Sequence, residues 1–299
     1  MLALSGMGRG RLVCKGLHML AILGLTLGAA VAAFILTDIE DDISTEHQHS
    51  DRTPDEPDLP VIPFDTVMAA SDQDSIVFSG DADDTVITGD GNDHLDGEDG
   101  DDHLIAGAGH DTLEGGRGND ILEGGTGDDT LNGHVGDDVL LGNAGNDTLN
   151  GGDGADYLDG GDGDDWLLGS FGDDVLIGGQ GADTLHGGMG NDVVYDRGDS
   201  DRDYLNGGDG DDTLIGDDGD VLHGGTGADM FSLADDDSVT IQDFDGDEDQ
   251  IEILHNGTAP ILTTAQTPEG LSLMADGEIV AIFQNVSHLD VSQVTLIAT

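Results

Sequence analysis

Gly115-Gly116-Arg117-Gly118-Asn119-Asp120-Ile121-Leu122-Glu123 is followed without a break by Gly124-Gly125-Thr126-Gly127-Asp128-Asp129-Thr130-Leu131-Asn132. Both nonapeptides carry glycine at their first, second and fourth places, aspartate at the sixth and leucine at the eighth. The pattern extends outward in both directions. Aspartates stand nine residues apart at Asp84, Asp93, Asp102, Asp111, Asp120, Asp129, Asp138, Asp147, Asp156, Asp165, Asp174, Asp183 and Asp192. A glycine lies two residues before each, except at Asp84, where Ala82 stands. An aliphatic residue lies two after each, from Val86, Leu95 and Leu104 through to Leu185 and Val194.

The chemistry of one unit follows from its residues. The Gly-rich half can turn sharply, because glycine has no Cβ and takes positive φ freely. The three residues after the aspartate read as a short strand. Neighbours in a strand alternate faces, so the aliphatic residue points inward alone. Its flanks, such as Thr112 and Glu114 or Thr130 and Asn132, are polar and should face out. Ile121, Leu141, Trp166 and Leu168 depart from this, and the sequence leaves open whether they form an exposed patch or pack on a neighbour. A strand this short cannot stand alone. Strand, turn, strand, turn makes one coil of two repeats, and stacked coils pair each strand in parallel with the equivalent strand of the next coil. About 17 repeats predict roughly 8–9 coils, or roughly 40 Å at about 4.8 Å per coil. Phe64 to Ala259 contains no proline, as such a ladder requires.

Stacking also superposes the aspartates. Two carboxylates about 5 Å apart repel by about 3 kcal/mol at an effective dielectric near 20, so the metal-free chain is expected to stay unfolded. A hard cation between successive turns reverses the sign. Carboxylates with turn carbonyls make an all-oxygen, flexible, highly charged donor set, which suits calcium rather than zinc or copper, and suits magnesium poorly. The candidate ligands are Asp93, Asp102, Asp111, Asp120, Asp129, Asp138, Asp147, Asp156, Asp165, Asp174, Asp183, Asp192, Asp212 and Asp229. Turn backbone joins them at Gly91, Gly100, Gly109, Gly118, Gly127, Gly136, Gly145, Gly154, Gly163, Gly172, Gly181 and Gly190. On the order of ten calcium ions are expected.

Composition agrees. The 299 residues hold 65 Asp+Glu against 7 Lys+Arg, a formal charge of −58. That excludes nucleic acid as a natural partner, since phosphate binding needs a basic face. After Lys15 the cations are Arg52, Arg117, Arg197 and Arg202, too few to neutralise the carboxylates by salt bridges. Cys14 is the single cysteine, so no intramolecular disulfide staples the fold.

These repeats resemble the RTX (repeats-in-toxin, haemolysin-type) calcium-binding nonapeptide, G-G-x-G-x-D-x-U-x, over residues 80–233. The resemblance implies an all-β fold, a parallel β-roll with calcium between turns. Glu98, His134, Asn143 and Ser170 replace the glycine four residues before their aspartates, and weaker sites are expected there. Beyond Asp192 the spacing slips: Asp203 comes eleven residues later, then Asp212, Asp220 and Asp229 at nine, eight and nine. This is expected to interrupt a site and end the regular roll. Residues 234–299 read as a β-rich C-terminal cap. Strands are expected at Val239–Ile241, Ile251–Ile253, Leu271–Leu273, Ile279–Ile282 and Val294–Ile297, with turns at Asn256-Gly257 and Asp276-Gly277. Ile241-Gln242-Asp243-Phe244 through Asp249-Gln250-Ile251, and Val286-Ser287-His288-Leu289-Asp290, are similar to segments of serralysin-type C-terminal domains. That resemblance implies a cap carrying a type I secretion signal.

At the other end, residues 64–79 read as an N-terminal cap strand and 38–63, with Pro54, Pro57, Pro60 and Pro63, as an acidic disordered linker. Within 1–37, Arg9, Arg11 and Lys15 precede an apolar run at 17–36, long enough for a helix spanning a bilayer. A membrane anchor with the chain outside the cytoplasm fits the charge bias, and a signal peptide cleaved near Val31-Ala32-Ala33 is the rival. Type I export needs no such segment, so the two ends of the chain point to different routes.

No H-E-x-x-H or G-x-S-x-G occurs, and the glycine turns lack the lysine of a phosphate loop. His94, His103, His110, His134, His186 and His223 fall at irregular offsets and read as surface residues. The expectation is a calcium-binding protein without enzymatic activity, extracellular or at the cell surface, whose folding is coupled to calcium. The alternative is a calcium-dependent adhesin or host-interaction protein displaying residues such as Ile121, Trp166 and Phe171 to an unknown partner.

Overall fold

The computed structural model describes residues 67–69, 73–199 and 201–299. The expected N-terminal apolar helix, the linker and the start of the cap strand lie outside the described residues. No helix among the described residues is long and apolar enough to cross a membrane.

The chain alternates between two sheets of 12 and 13 strands. As far as Gln250–His255, successive strands go to opposite sheets, so each strand pairs with the one a coil away. Leu104 pairs with Leu122 and then Leu140 in one sheet, and Leu113 with Leu131 in the other, all in parallel register. Eighteen residues therefore make one coil, as the two-repeat stack requires. The inward aliphatic residues, Leu95 through Leu185 in steps of nine, are each 0% exposed. They form a core one leucine deep from each side.

The strands are longer than expected. Thr112–Arg117, Ile121–Thr126 and their equivalents run six residues, not three. The extended backbone continues through the first glycine of the pair. Register pairing skips that glycine and resumes at the second, where Gly116 and Gly125 take φ of 111° and 115°. Glu98, His134, Asn143 and Ser170 make the same bend, with φ of 68°, 77°, 75° and 86°. A side chain in that conformation costs on the order of 1–2 kcal/mol, so neighbouring coils impose the turn on residues that resist it.

The register slip does not end the stack. Tyr204–Asp209 pairs with Thr184–Met189, and Thr213–Ile215 with Val193–Tyr195, so the turn after Tyr195 absorbs the extra residues. Both sheets then run on past residue 233. Gln250–His255 pairs in parallel with Met230–Ala234, and Thr295–Ala298 with Gln250–His255. In the other sheet Glu278–Phe283 joins Val239–Ile241 in parallel and then turns back on Leu271–Ala275 as an antiparallel hairpin. Asp276 and Gly277 form its turn, with φ of 50° and 99°. An outer strand, Leu262–Gln266, had no sequence signal. Phe244 packs on Phe231 and Phe283, with ring centroids 6.1 Å and 5.3 Å away, and widens the core at this end.

Candidate metal centre

Each repeat places its aspartate at the mouth of a strand, where the turn returns to the sheet. Backbone ties it in from both sides. Asp93, for example, accepts from the Thr112 amide through its carbonyl and donates its own amide to Asp111 Oδ1. The second contact repeats and builds two files of carboxylates. In one, the amides of Asp84, Asp102, Asp120, Asp138, Asp156, Asp174, Asp192, Asp212 and Asp229 each donate to the carboxylate of the next coil, ending at Asp249, at 2.7 to 3.0 Å. In the other, the file starts at the Ser75 amide and runs from Asp93 through Asp183 to Asp203 and Asp220.

Every one of these bonds uses Oδ1. The second oxygen, Oδ2, is buried without a hydrogen-bond partner in each aspartate from Asp93 to Asp192 and in Asp212. These residues are 1–3% exposed. Except at Asp93 and Asp111, whose repeats begin with Thr88 and Ala106, Oδ2 is aimed at the first glycine of its own repeat. A Cβ on Gly124 would lie 2.5 Å from Asp129 Oδ2. At Gly115 it would meet Asp120 Oδ2 at 2.5 Å and the Gly133 carbonyl of the next coil at 2.9 Å. Glycine at this place therefore leaves a small cradle lined by a carboxylate oxygen and a carbonyl.

Burial pushes the carboxyl pKa values up, and the amide bond to Oδ1 pulls them partly back. Asp102, Asp129, Asp138, Asp174 and Asp183 rise to about 7 and Asp165 to about 8. Asp147, Asp156, Asp192, Asp212 and Asp229 rise to about 6. Neighbouring carboxylates add to the rise in most of them. A buried anionic oxygen with no donor costs several kcal/mol, and a hard cation removes that cost. The donor set is oxygen alone, carboxylate and carbonyl, so the site fits calcium. The repeat aspartates would hold it, with turn carbonyls completing the shell.

The structure brings all fourteen predicted aspartates into these two files. The glycines two residues before them, Gly91 through Gly190, take φ of 115–153°. They pack coil on coil so closely that a Cβ on Gly118 would strike the Gly100 carbonyl. Asp203, Asp220 and Asp249 also belong to the files, although their irregular spacing kept them from the predicted set. A further ladder had a legible signal that went unread, because the residue before the key aspartate is so often Asn or Asp. Exposed Asn119 accepts from the Asp137 amide at 3.1 Å, and its own amide donates to Asp101 at 2.9 Å. His110 keeps the pattern by accepting the Asp128 amide on Nδ1.

The family model described as the RTX calcium-binding nonapeptide repeat matches residues 78–113, 105–140, 114–149, 132–167, 159–194 and 197–231. The chain belongs to the RTX calcium-binding repeat family. The RTX repeats bind calcium, and the files of buried aspartates are where this chain has the donors for it. Similar solved structures include the AlgE6R3 subunit of the Azotobacter vinelandii mannuronan C5-epimerase, at 27% identity and a TM-score of 0.27. That match covers 45% of this chain and 78% of that one. The extracellular lipase LipA of Serratia marcescens matches at 18% identity and a TM-score of 0.25, over 64% of this chain. The RTX chain spans 41% of the lipase. No curated protein matches the sequence.

The outward histidines and apolar residues lie on the sheets' outer faces. His103 meets Glu123 at 2.8 Å and His134 meets Glu114 at 2.6 Å, both at the surface. His223 Nδ1 lies 2.9 Å from Asp243. Trp166, His186 and Tyr204 form a tilted aromatic file, with centroids 6.4 Å and 5.8 Å apart. Beside it lies an open groove of about 560 Å³, between Leu168, Phe171, Met189, Asn206 and His223.

Proposed function

We propose that this RTX chain is a calcium-binding protein whose repeat stack folds when calcium is supplied, and that it works outside the cytoplasm by binding rather than by catalysis. The observation that carries the reading is the pair of carboxylate files with their buried, unpartnered Oδ2 atoms. Without a cation, each coil must bury a charge or take up a proton. Calcium provides the missing partner at each step, so binding free energy becomes folding free energy. On the order of ten ions would fill the two files, given the oxygen donors each coil supplies. A chain built this way stays open where calcium is scarce and closes where it is plentiful, which suits a protein exported before it folds.

Far-UV circular dichroism of the full chain tests this. Titration with calcium should convert a coil spectrum cooperatively to β, and magnesium at the same concentration should not. An unchanged spectrum with calcium would sink the coupling.

The groove beside Trp166 favours a second reading, in which the calcium-loaded roll presents a surface to a partner. Phe171 and Met189 are 54% and 52% exposed there, on a chain otherwise dominated by carboxylates. Surface-bound calcium-loaded protein that is released by Phe171→Ser, with an unchanged spectrum, would support it.

A further inference from the structure

In the file of first places, otherwise mostly glycine, one position is taken by a carboxylate. In one sheet the equivalent places hold Gly124, Gly142, Gly160 and Gly178, and the next is Asp196. The register follows from Ile177 pairing with Tyr195, the residue before it. Asp196 is 2% exposed, and its Oδ2 is buried without a hydrogen-bond partner. Where a neighbouring coil offers a glycine carbonyl, this coil offers a carboxylate. A Cβ on Gly178 would strike Asp196 Oδ2 and would lie 2.6 Å from Asp183 Oδ2. The file itself supplies a third group, Asp203 of the next coil. One ligand oxygen from each of Asp183, Asp196 and Asp203 lies within 4.8 Å of the others.

Among the described residues, no cation neutralises the cluster. Arg197, the adjacent residue, donates to Asp237 at 2.7 Å and to the Gly216 carbonyl at 3.2 Å. Arg202 is exposed. Asp183 and Asp203 are file members whose Oδ1 atoms are already taken by amides from the preceding coils. Asp196 Oδ2 has no such tie.

We infer that Asp183, Asp196 and Asp203 form a cation site distinct from the repeat sites, a three-carboxylate centre for a hard divalent or trivalent ion that fills before the others. The inference rests on the reading of the repeats as calcium sites and adds a rank order to them. Calcium affinity in oxygen sites climbs with the number of charged ligands and with their rigidity. A third carboxylate in a place built for a carbonyl raises both. The register slip leaves this arrangement intact, since the longer turn returns Asp203 to its regular place in the file beside Asp183.

Calorimetric titration of the full chain with calcium, and terbium luminescence sensitised through Tyr195 and Tyr204, test this together. The wild-type chain should show one tight ion ahead of a broad weaker class, and terbium should light up at about one equivalent. Asp196→Asn should weaken the tight class by at least about tenfold and leave the weaker class in place. Asp196→Gly restores the residue found elsewhere in the file, so it should fold as its neighbours do and merge the tight ion into the weaker class. Asp165→Asn, in an ordinary coil, should lower the weaker class and spare the tight ion. A tight class that survives in both Asp196 variants overturns the inference while leaving the repeat sites standing. A chain that binds no calcium at all would instead remove the repeat reading beneath it.

Discussion

The repeat stack and the C-terminal segment share two continuous sheets but are held together differently. In the stack, each strand gives the interior one leucine and each turn buries one carboxylate. In the C-terminal segment, Leu271–Ala275 buries Leu271, Leu273 and Ala275, and Glu278–Phe283 buries Val280, Ala281 and Phe283 around the three packed phenylalanines. The carboxylate files stop at Asp220 and Asp249. Burying a large apolar side chain contributes about 1.5–3 kcal/mol in either region. The stack offsets much of that gain with a buried anion, and the segment does not. The difference teaches that the stability of one region depends on what occupies its turns, while the other depends on its side chains alone.

Calcium removal should separate the two regions most strongly. With a chelator at pH 8, amide hydrogen exchange should lose its protection across 84–220 and keep it between 250 and 298. Equal loss in both regions would make the segment a dependent of the stack.

Protons should imitate the metal, more weakly. The repeat carboxyls rise from 3.8 to about 6–8 in the folded chain. A raised carboxyl pKa means that the folded state holds protons the unfolded state has released. Metal-free stability is thus fully present below about pH 4 and is lost as pH climbs through about 6–8. Circular dichroism of the chelated chain should show more β structure at pH 5 than at pH 8. Calcium affinity should move the opposite way, rising over the same window as protons leave, with proton release measurable in unbuffered titrations. An affinity flat across the window would mean that the carboxyls are already ionised.

Point changes sharpen the comparison further. Phe244→Ala should cost about 3–5 kcal/mol, through a cavity between Phe231 and Phe283, and lower the melting temperature with or without calcium. Gly151→Ala puts a methyl against Asp156 Oδ2. It should remove about one ion from the calorimetric count and destabilise only the calcium-loaded form. Asn119→Ala, at the exposed ladder, should cost only about 0.5–1.5 kcal/mol in thermal melts.

Much of this was legible because the repeat is so regular. A spacing of nine with one inward aliphatic residue fixes the coil, and Leu113 and Leu122 fall where the alternation of a strand puts them. The amide bond to Oδ1 was not legible, since backbone donors leave no trace in side-chain identity. That bond is also what keeps the files in line when the spacing changes, so Asp203 and Asp220 join them despite gaps of eleven and eight. Asp196 was missed for a related reason. It looks like one acid among 65 until register shows that it stands in a file of glycines.

Within the two carboxylate files, the bonds between coils all point one way. Asp102 caps the amide of Asp84, Asp120 caps that of Asp102, and in these files the later carboxylate is the acceptor. The stack therefore has a grain. Its amino-terminal edge shows carboxylates already in use, and its carboxyl-terminal edge would show bare amides if Asp249 did not close it. Asp249 sits in a segment packed around Phe244 rather than in a repeat, so this edge is expected to form without waiting for the coils. The molecule would then carry its own seed at one end, and layers should add onto it from the carboxyl terminus toward the amino terminus. A chain cut back before residue 240 has every repeat but no template, and should nucleate slowly even when calcium is abundant.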